Sequence, residues 1–210
     1  MLAACAAMAL ALAAASPAFA QGFYIGFGYG QSELGDLVAA DIDAELASLG
    51  FASTTTVDAK DSGYKLYGGY EFNRNFALET GYYDLGTFTS HSVTTGVGAG
   101  TIDGEWDAWA IPIALVGTVP LGASFSLFGK VGGAFTSLDA TARGTSTPKT
   151  FEFSESESEF GTYLGVGAGV FFGQGWGIRV EWELFAGVGD DETTGESDID
   201  LLSASIQYHF

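Results

Sequence analysis

The chain contains few residues that could act as a catalytic base or nucleophile. Its two histidines are His91 and His209, and its single cysteine, Cys5, lies within the first twenty residues. His91 lies beside Ser90 and Ser92, so a serine hydroxyl activated by an imidazole is the chemistry to weigh. That mechanism also needs an acid that orients the base, and the sequence offers no evident partner to either histidine. We therefore expect no catalytic activity.

Four charged residues at strand-like positions are better candidates for a site, namely Glu79, Lys130, Arg179 and Glu181. Each lies in a segment that alternates apolar and polar residues, and each falls on the polar side. Two acids and two bases can neutralise one another where water is scarce. If the polar sides face one enclosed space, we expect these four residues to form an ion-pair network there.

Acidic residues concentrate in two further segments, 155–159 and 190–200. Carboxylates two residues apart on a strand are separated by ~6.6–6.8 Å, which is too far to share one calcium ion at ~2.3–2.6 Å without help from a neighbouring strand. A solvated acidic surface is therefore the favoured interpretation, and we expect neither a metal nor a cofactor. The glycine patterns at 26–30, 96–100 and 165–169 do not open a helix of a βαβ unit, so phosphate loops are excluded.

The first twenty residues resemble a secretion signal. They carry no charge, consist mostly of alanine and leucine, and end in Ser16-Pro-Ala-Phe-Ala20, the small-x-small pattern of a signal peptidase site. We therefore expect a signal peptide over residues 1–20 and a mature domain over residues 21–210. Because the usual basic residues are missing before the apolar run, we expect that translation starts upstream or that the chain was truncated there.

The composition excludes several classes of protein. The chain has 26 acidic against 7 basic residues and a net charge of −19, which opposes nucleic-acid binding. No later apolar run reaches the ~18–20 residues that a transmembrane helix needs. Even so, 47% of the residues are hydrophobic, 14% are aromatic and 31 are glycine. This combination is typical of alternating strands in a narrow membrane barrel.

Eight segments alternate with a period of two residues. They lie near 22–31, 62–72, 76–88, 105–119, 125–138, 159–172, 176–188 and 199–210. The connections alternate between tight turns and long polar loops, the latter near 32–61, 89–104, 139–158 and 189–198, as in outer-membrane barrels. Each segment has the ~9–11 residues that a tilted membrane strand needs. Within the first long loop, residues 37–49 have helical spacing and form either a short amphipathic helix or a mobile turn.

The last segment indicates where the protein lies. Leu202, Ala204, Ile206, Tyr208 and Phe210 share one face and end the chain on an aromatic residue. Almost all strand charges have the opposite parity, and an Arg or Lys facing the bilayer midplane would cost ~2–4 kcal/mol. The sequence thus predicts an all-β fold, an eight-stranded antiparallel up-and-down transmembrane β-barrel in a Gram-negative outer membrane, with both termini periplasmic. A soluble β-sandwich or lipocalin-like barrel, with its apolar face inward, is the alternative.

The chain resembles the transmembrane domain of the OmpA-like outer-membrane protein family from about Gly22 to Phe210. The most specific stretch is residues 67–82 (YGGYEFNRNFALETGY), which resembles the family's second strand, tight turn and third strand. Weaker matches follow in the same order at 130–133, 164–169, 178–182 and 206–210. The family's larger members carry a peptidoglycan-binding domain after the last strand. Because this chain stops at Phe210, we expect no anchoring to the cell wall.

The resemblance implies a role for the charged residues. In the family, an acid and an arginine at the positions of Glu79 and Arg179 form an internal pair that blocks the lumen and can switch partners. The alternate partners align with Phe171 and Val116, so a switchable gate is not expected unless Lys130 substitutes. A static polar plug is the alternative. The resemblance also implies that Tyr208 and Phe210 form the terminal signal that the barrel-assembly machinery recognises.

These expectations converge on a non-catalytic outer-membrane barrel with a structural or adhesion-like surface role. A narrow pore or transporter for small or hydrophobic molecules is the second interpretation, and a lipid-modifying enzyme is the third. The expected partners are outer-membrane lipid, the assembly machinery during insertion, and an extracellular molecule that contacts the acidic loops. We expect a monomer.

Overall fold

The computed structural model describes residues 22–35, 37–96, 99–146, 149–172, 175–188 and 197–210, so the predicted signal peptide lies outside the described residues. The elements are β1 (Gly22–Leu34), α1 (Ala39–Ser48), β2 (Ala52–Asp58), β3 (Lys60–Asn73), β4 (Phe76–Thr95), β5 (Gly100–Leu121), β6 (Phe125–Ser146), β7 (Lys149–Phe172), β8 (Trp176–Val188) and β9 (Ser197–His209). Among the described residues, no helix is both long and apolar enough to cross a membrane.

Eight of these strands close into a ring. In the order β1, β3, β4, β5, β6, β7, β8 and β9, each pairs antiparallel with the next, and β9 pairs with β1. Neighbours in the ring follow one another along the chain, except that β2 lies between β1 and β3 in the sequence. Strand β2 is outside the ring and pairs with residues 89–95 of β4. The predicted eight-stranded up-and-down barrel is therefore confirmed.

The apolar stripe points outward, which excludes the soluble alternative with its apolar face inward. Phe27, Ile113, Val166 and Leu202 are each between 51% and 58% exposed. The polar face points inward, and Lys65 is completely buried there. A protein surface this apolar needs hydrocarbon around it rather than water.

Two rows of outward aromatic residues mark the limits of this apolar band. One row lies at the end of the barrel where the tight turns at 74–75 and 122–124 occur, which we call the turn end. The other lies toward the opposite, or extended, end. The turn-end row comprises Phe23, Tyr70, Phe72, Phe125, Phe172, Trp176, Tyr208 and Phe210, and the other comprises Tyr29, Tyr64, Tyr82, Trp109, Phe135 and Trp182. Aromatic girdles of this kind flank the lipid-facing band of membrane barrels.

The prediction of short strands was wrong for β4 to β7. These strands have 20, 22, 22 and 24 residues, about twice what the membrane requires. Most of the segments 89–104 and 139–158, predicted as loops, are therefore paired strand that continues past the second aromatic row. Their polarity reflects solvent on the outer face, because backbone pairing in a sheet does not require an apolar side chain. The loop predicted near 189–198 lies largely outside the described residues.

Helix α1 and strand β2 occupy the predicted first loop, so of the two alternatives for residues 37–49 the helix forms. None of its residues is buried. It is fastened to β2 by Asp43, whose carboxylate accepts hydrogen bonds from the hydroxyls of Ser53 (2.6 Å) and Thr55 (2.7 Å). These hydrogen bonds lower the pKa of Asp43. Thr55 also donates its backbone N–H to Asp43 (3.4 Å), so the helix covers part of the free edge of β2.

A bulge in β4 changes which residues face inward. The register with β5 shifts between Asp84 and Gly86, and Gly86 has φ +85°, a conformation that favours glycine. Inward residues are odd-numbered before the bulge, as Glu79 and Tyr83 are, and even-numbered after it, as Phe88 is. The alternation within 76–88 did not reveal this shift.

Two inward glycines make room for two buried tyrosines. A Cβ at Gly69 would lie 2.3 Å from the Tyr24 ring, and a Cβ at Gly26 would lie 2.3 Å from the Tyr67 ring. Both rings are at most 2% exposed, so neither can move aside without disturbing the lumen. In this barrel the glycines therefore allow the lumen to be filled with aromatic rings.

We predict that Gly69→Ala lowers the free energy of unfolding by about 1–3 kcal/mol, because it overpacks the lumen against Tyr24. The matched control is Gly117→Ala, since a Cβ at Gly117 has no atom within 4 Å. Urea titration of both variants, folded into lipid vesicles, measures the difference. Equal stability of the two variants would contradict the proposed fit.

Candidate functional site

The most concentrated polar cluster among the described residues lies inside the barrel. It contains three cations and three carboxylates, each at most 6% exposed, and these formal charges cancel. Its members are Lys65, Lys130, Arg179, Glu79, Glu181 and Glu183. We call these six residues the lumen network.

The contacts within the lumen network are direct. Glu79 lies 2.7 Å from Lys130 Nζ through Oε1 and 2.8 Å from Arg179 Nη1 through Oε2. Lys130 also pairs with Glu181 and, at 2.9 Å, with Glu183. The four residues predicted from sequence are thus brought together around Lys130, which contacts all three carboxylates.

Two members of the lumen network were not among the four predicted residues. Lys65 forms ion pairs with Glu183 and, at 3.3 Å, with Glu181. Both Lys65 and Glu183 have the inward parity of their strands, so the signal was present in the alternation. Sequence could not show which inward charges lie at the same height, because that depends on the register of the strands.

The strand register explains how side chains from different strands meet. Lys130 on β6 is paired with Gly165 on β7, and Gly165 is paired with Glu183 on β8. A Cβ at Gly165 would lie 3.3 Å from Lys130 and 3.4 Å from Glu183. The missing side chain on the middle strand therefore lets the lysine and the glutamate reach each other across it.

Tyrosine hydroxyls complete the hydrogen bonding of the carboxylates. Tyr24 donates to Glu79 (2.7 Å), while Tyr163 (2.5 Å) and Tyr83 (3.2 Å) both donate to Glu183. Burying charge is tolerable only when the charges are paired and their remaining hydrogen-bonding groups are satisfied. Glu79 and Glu183 meet this condition, because each carboxylate contacts cations and also accepts a tyrosine hydroxyl.

The residues aligned with the family's alternate gate partners are apolar here, as expected from sequence. Val116 is 1% exposed within the barrel, and Phe171 packs edge-on against His209 at 5.1 Å. Lys130 contacts Glu79 while Arg179 also does so. In this arrangement one carboxylate holds both cations at the same time.

An apolar layer lies between the lumen network and the extended end. Five side chains in it are completely buried, namely Leu85, Phe88, Phe185, Ile199 and Leu201. Phe185 packs against the rings of Tyr83 (5.7 Å) and Tyr163 (5.0 Å), so this layer rests directly on the polar one. The lumen is therefore filled by a polar plug and an apolar plug in succession.

The expectation that His91 has no acidic partner was wrong. Its Nδ1 lies 2.5 Å from Asp103 Oδ1, because the register of β4 and β5 places the two residues opposite each other. However, Ser90 and Ser92 are buried on the inner face, whereas His91 is exposed on the outer face. The structure therefore brings neither of these two serine hydroxyls to this imidazole.

The remaining predicted residues lie at the turn end. Tyr208 packs against Trp176 (5.0 Å) and Phe210 (5.3 Å) on the outer surface. His209 faces inward and its Nδ1 lies 3.4 Å from Glu71, so the expectation that this histidine has no acidic partner was also wrong. Within the described ranges, no group of three or more histidine, cysteine, aspartate or glutamate side chains is arranged to hold a metal ion.

The sequence matches the profile of the outer membrane protein beta-barrel domain over residues 2–210. The chain belongs to this family. Membership places it in the bacterial outer membrane, as the outward apolar band requires. Comparison with curated proteins found no match.

Solved outer-membrane barrels share the fold at low sequence identity. Ail, the attachment invasion locus protein of Yersinia pestis, aligns with a TM-score of 0.53 and 18% identity, covering 91% of this chain and 100% of Ail. Ail has also been crystallised with the heparin analogue sucrose octasulfate. OprG of Pseudomonas aeruginosa gives 0.50 and 12%, with coverage of 90% and 96%. Neisserial surface protein A gives 0.50 and 10%, with coverage of 90% and 97%.

Proposed function

We propose that this family member is a closed, non-catalytic barrel that anchors an extracellular β-sheet as an interaction surface. The observation that carries the proposal is the doubly filled lumen, because a barrel without a passage acts through its surface. The extended strands β4 to β7 supply that surface. We infer that the turn end faces the periplasm and the extended end faces the exterior, as is usual for outer-membrane barrels with short periplasmic turns.

A static plug is favoured over a gate or a narrow pore. Removing the pair Glu79 and Arg179 would leave the apolar layer of Phe88 and Phe185 in place, and this layer excludes hydrated ions. We therefore predict that wild type and the double variant Glu79→Ala/Arg179→Ala both give no conductance steps in planar bilayers in 1 M KCl. A known porin reconstituted in the same way serves as the positive control. Steps in either protein would overturn the closed barrel.

The outer face of the extension favours a cationic partner. Asp103, Glu105, Asp107 and Asp139 are all exposed on it, in a chain whose net charge is −19. The sulfated ligand bound by Ail is a polyanion, which this surface would repel. We infer that the extracellular partner presents basic groups to these acids.

We predict that three neutralising substitutions on this face weaken binding of oligolysine by at least about threefold, since each exposed charge contributes ~0.2–1 kcal/mol. The variant is Glu105→Gln/Asp107→Asn/Asp139→Asn. The matched control carries the same change in net charge away from this face, as Glu33→Gln/Asp41→Asn/Glu45→Gln. Binding is measured for the protein in zwitterionic nanodiscs. Equal weakening in both variants would show that net charge, rather than this surface, attracts the partner.

His91 lies on the opposite face of the sheet from Ser90 and Ser92. This separation supports the proposal that the protein does not use a serine activated by histidine for catalysis.

Tyr208 and Phe210 lie on the outer surface at the turn end, where they are accessible to a periplasmic assembly factor. We propose that these two residues form the recognition signal for insertion.

A further inference from the structure

The extension of the barrel is a sheet with two edges, and its strands lie in the order β2, β4, β5, β6 and β7. At the β2 edge, α1 lies alongside, and the Asp43 carboxylate accepts the backbone N–H of Thr55 (3.4 Å). At the other edge, β7 pairs with β6 from Lys149 onward, but its pairing with β8 begins only at Thr162. Within the described part of the chain, residues 150–160 of β7 thus have no strand beside them on the side away from β6. We call these residues the open edge.

The backbone of the open edge directs hydrogen-bonding groups away from the sheet. Ser137 on β6 donates its hydroxyl to the carbonyl oxygen of Glu157 (3.2 Å), and Phe171 donates its N–H to the carbonyl oxygen of Ser124, just before β6 (2.7 Å). Odd-numbered residues of β7 therefore direct their backbone groups toward β6. Because these groups alternate sides along a strand, the even-numbered residues from 152 to 160 each direct an N–H and a carbonyl to the open side. A further strand can pair with such a row.

The side chains on the inner face of the open edge form two blocks, a row of carboxylates and then a pair of phenyl rings. From the barrel outward, the residues are Glu159, Glu157, Glu155, Phe153 and Phe151. Both rings are more than half exposed. A strand added here would set its own alternate side chains directly opposite these blocks. The open edge thus selects a strand with basic groups opposite the carboxylates and apolar groups opposite the rings.

We propose that the open edge binds an extended segment of the extracellular partner as an added antiparallel strand. Lys or Arg at three alternate positions of this segment lies opposite the carboxylates, and apolar side chains at the next two alternate positions lie opposite the phenyl rings. Backbone hydrogen bonds to the even-numbered residues hold the segment, and the row of side chains selects it. The inference rests on the proposed function, since it names the kind of segment through which the partner would bind.

A second copy of the chain does not fit the same edge. Antiparallel pairing of two open edges over residues 155–159 would bring carboxylates directly opposite carboxylates, which is destabilising. The net charge of −19 on each copy adds to this repulsion. The complementary strand therefore comes from a basic segment of another protein.

The probe is the peptide KTKTKTVTV, capped at both ends and titrated against the isotopically labelled barrel in zwitterionic nanodiscs. In the antiparallel register its lysines lie opposite residues 159, 157 and 155, and its valines lie opposite 153 and 151. We expect saturable binding in which the amides of Ser154, Ser156 and Ser158 gain protection from hydrogen exchange, because their N–H groups become paired. The amides of Glu155 and Glu157 are directed toward β6 and should change little.

Two control peptides separate strand pairing from charge attraction. KKKTTTTVV has the same composition and charge without the alternation, so it cannot place its lysines opposite the carboxylates. KTKTKTVTV methylated at its threonine nitrogens keeps every side chain but cannot donate backbone hydrogen bonds to the edge. Each control should bind at least about tenfold more weakly, since several hydrogen bonds or ion pairs are lost. Methylation at the lysine nitrogens, which face away from β7, should be tolerated better.

Variants of the protein test the same contacts. Glu155→Gln/Glu157→Gln/Glu159→Gln should weaken KTKTKTVTV by at least about threefold, as expected for three partly exposed charges. The matched control is the outer-face variant Glu105→Gln/Asp107→Asn/Asp139→Asn, which has the same net charge and should leave the affinity unchanged. Ser156→Pro removes one N–H of the open edge without breaking a pair with β6, so it should weaken binding, whereas Ser156→Ala should not. Amide spectra show that each variant is folded.

Equal affinities for KTKTKTVTV and its two controls, or equal effects of the two triple variants, would overturn the added strand. Unchanged hydrogen exchange at Ser154, Ser156 and Ser158 would overturn it as well. The proposed function fails by a different result, namely conductance steps in planar bilayers.

Discussion

Replacing Glu183 by glutamine is expected to lower the free energy of unfolding by about 3–5 kcal/mol, the usual cost of breaking a buried ion pair. Glu183 is completely buried. It forms ion pairs with Lys65 and Lys130 and accepts hydrogen bonds from the hydroxyls of Tyr83 and Tyr163. Glutamine has almost the same shape, so the loss comes from charge rather than packing. The variant leaves three buried cations facing two carboxylates. Urea titration of the protein folded into lipid vesicles measures this difference.

The control makes the same substitution at an exposed ion pair. Glu33 lies 2.8 Å from Lys60, and both side chains are about half exposed, at 49% and 52%. Because water screens this pair, Glu33→Gln should cost no more than ~1 kcal/mol. If the two variants lose similar stability, the lumen network contributes no more than a surface pair, and the proposal of a static structural plug is wrong.

The second large effect is expected from Phe185→Ala, which should cost about 3–5 kcal/mol because it opens a cavity in the apolar layer. Phe185 is completely buried and packs against two tyrosine rings, those of Tyr83 and Tyr163. Loss of the ring removes its own contacts and loosens the tyrosines that donate to Glu183. The measurement is again unfolding by urea in vesicles.

Phe153→Ala is the matched control on the extension. Phe153 also lies in a strand, but its side chain is 57% exposed, so its removal leaves little cavity and should cost less than ~1 kcal/mol. A similar loss at both positions would mean that Phe185 is not part of a close-packed seal. In that case the conductance of the Phe185→Ala variant becomes the decisive measurement for closure.

We propose that the lumen network does not switch between alternative ion pairs. A switch between ion pairs needs two arrangements of similar energy. Here Glu79 already contacts Lys130 and Arg179 together, and Lys130 also contacts the other two carboxylates. Releasing one cation would leave charge unpaired in a buried space, so a single arrangement is favoured.

The sequence by itself determined the fold class, the number of ring strands, and that the apolar side of the strands faces lipid while the polar side faces the lumen. These follow from period-two alternation, because a strand that separates lipid from an enclosed lumen has to place apolar and polar residues on opposite sides. Four of the six charged residues of the lumen network were named for the same reason. Parity alone identifies an inward side chain without knowledge of its neighbours.

Only the tertiary structure decided which inward residues meet and how far the strands extend. Contacts such as Lys130 with Glu183 depend on the register of three strands and on the space above Gly165, and alternation carries no information about register. The extension of β4 to β7 was missed because strands with solvent on one face resemble polar loops in sequence. The acid beside His91 likewise depends on register, because Asp103 lies on the next strand and comes opposite His91 only when β4 and β5 pair.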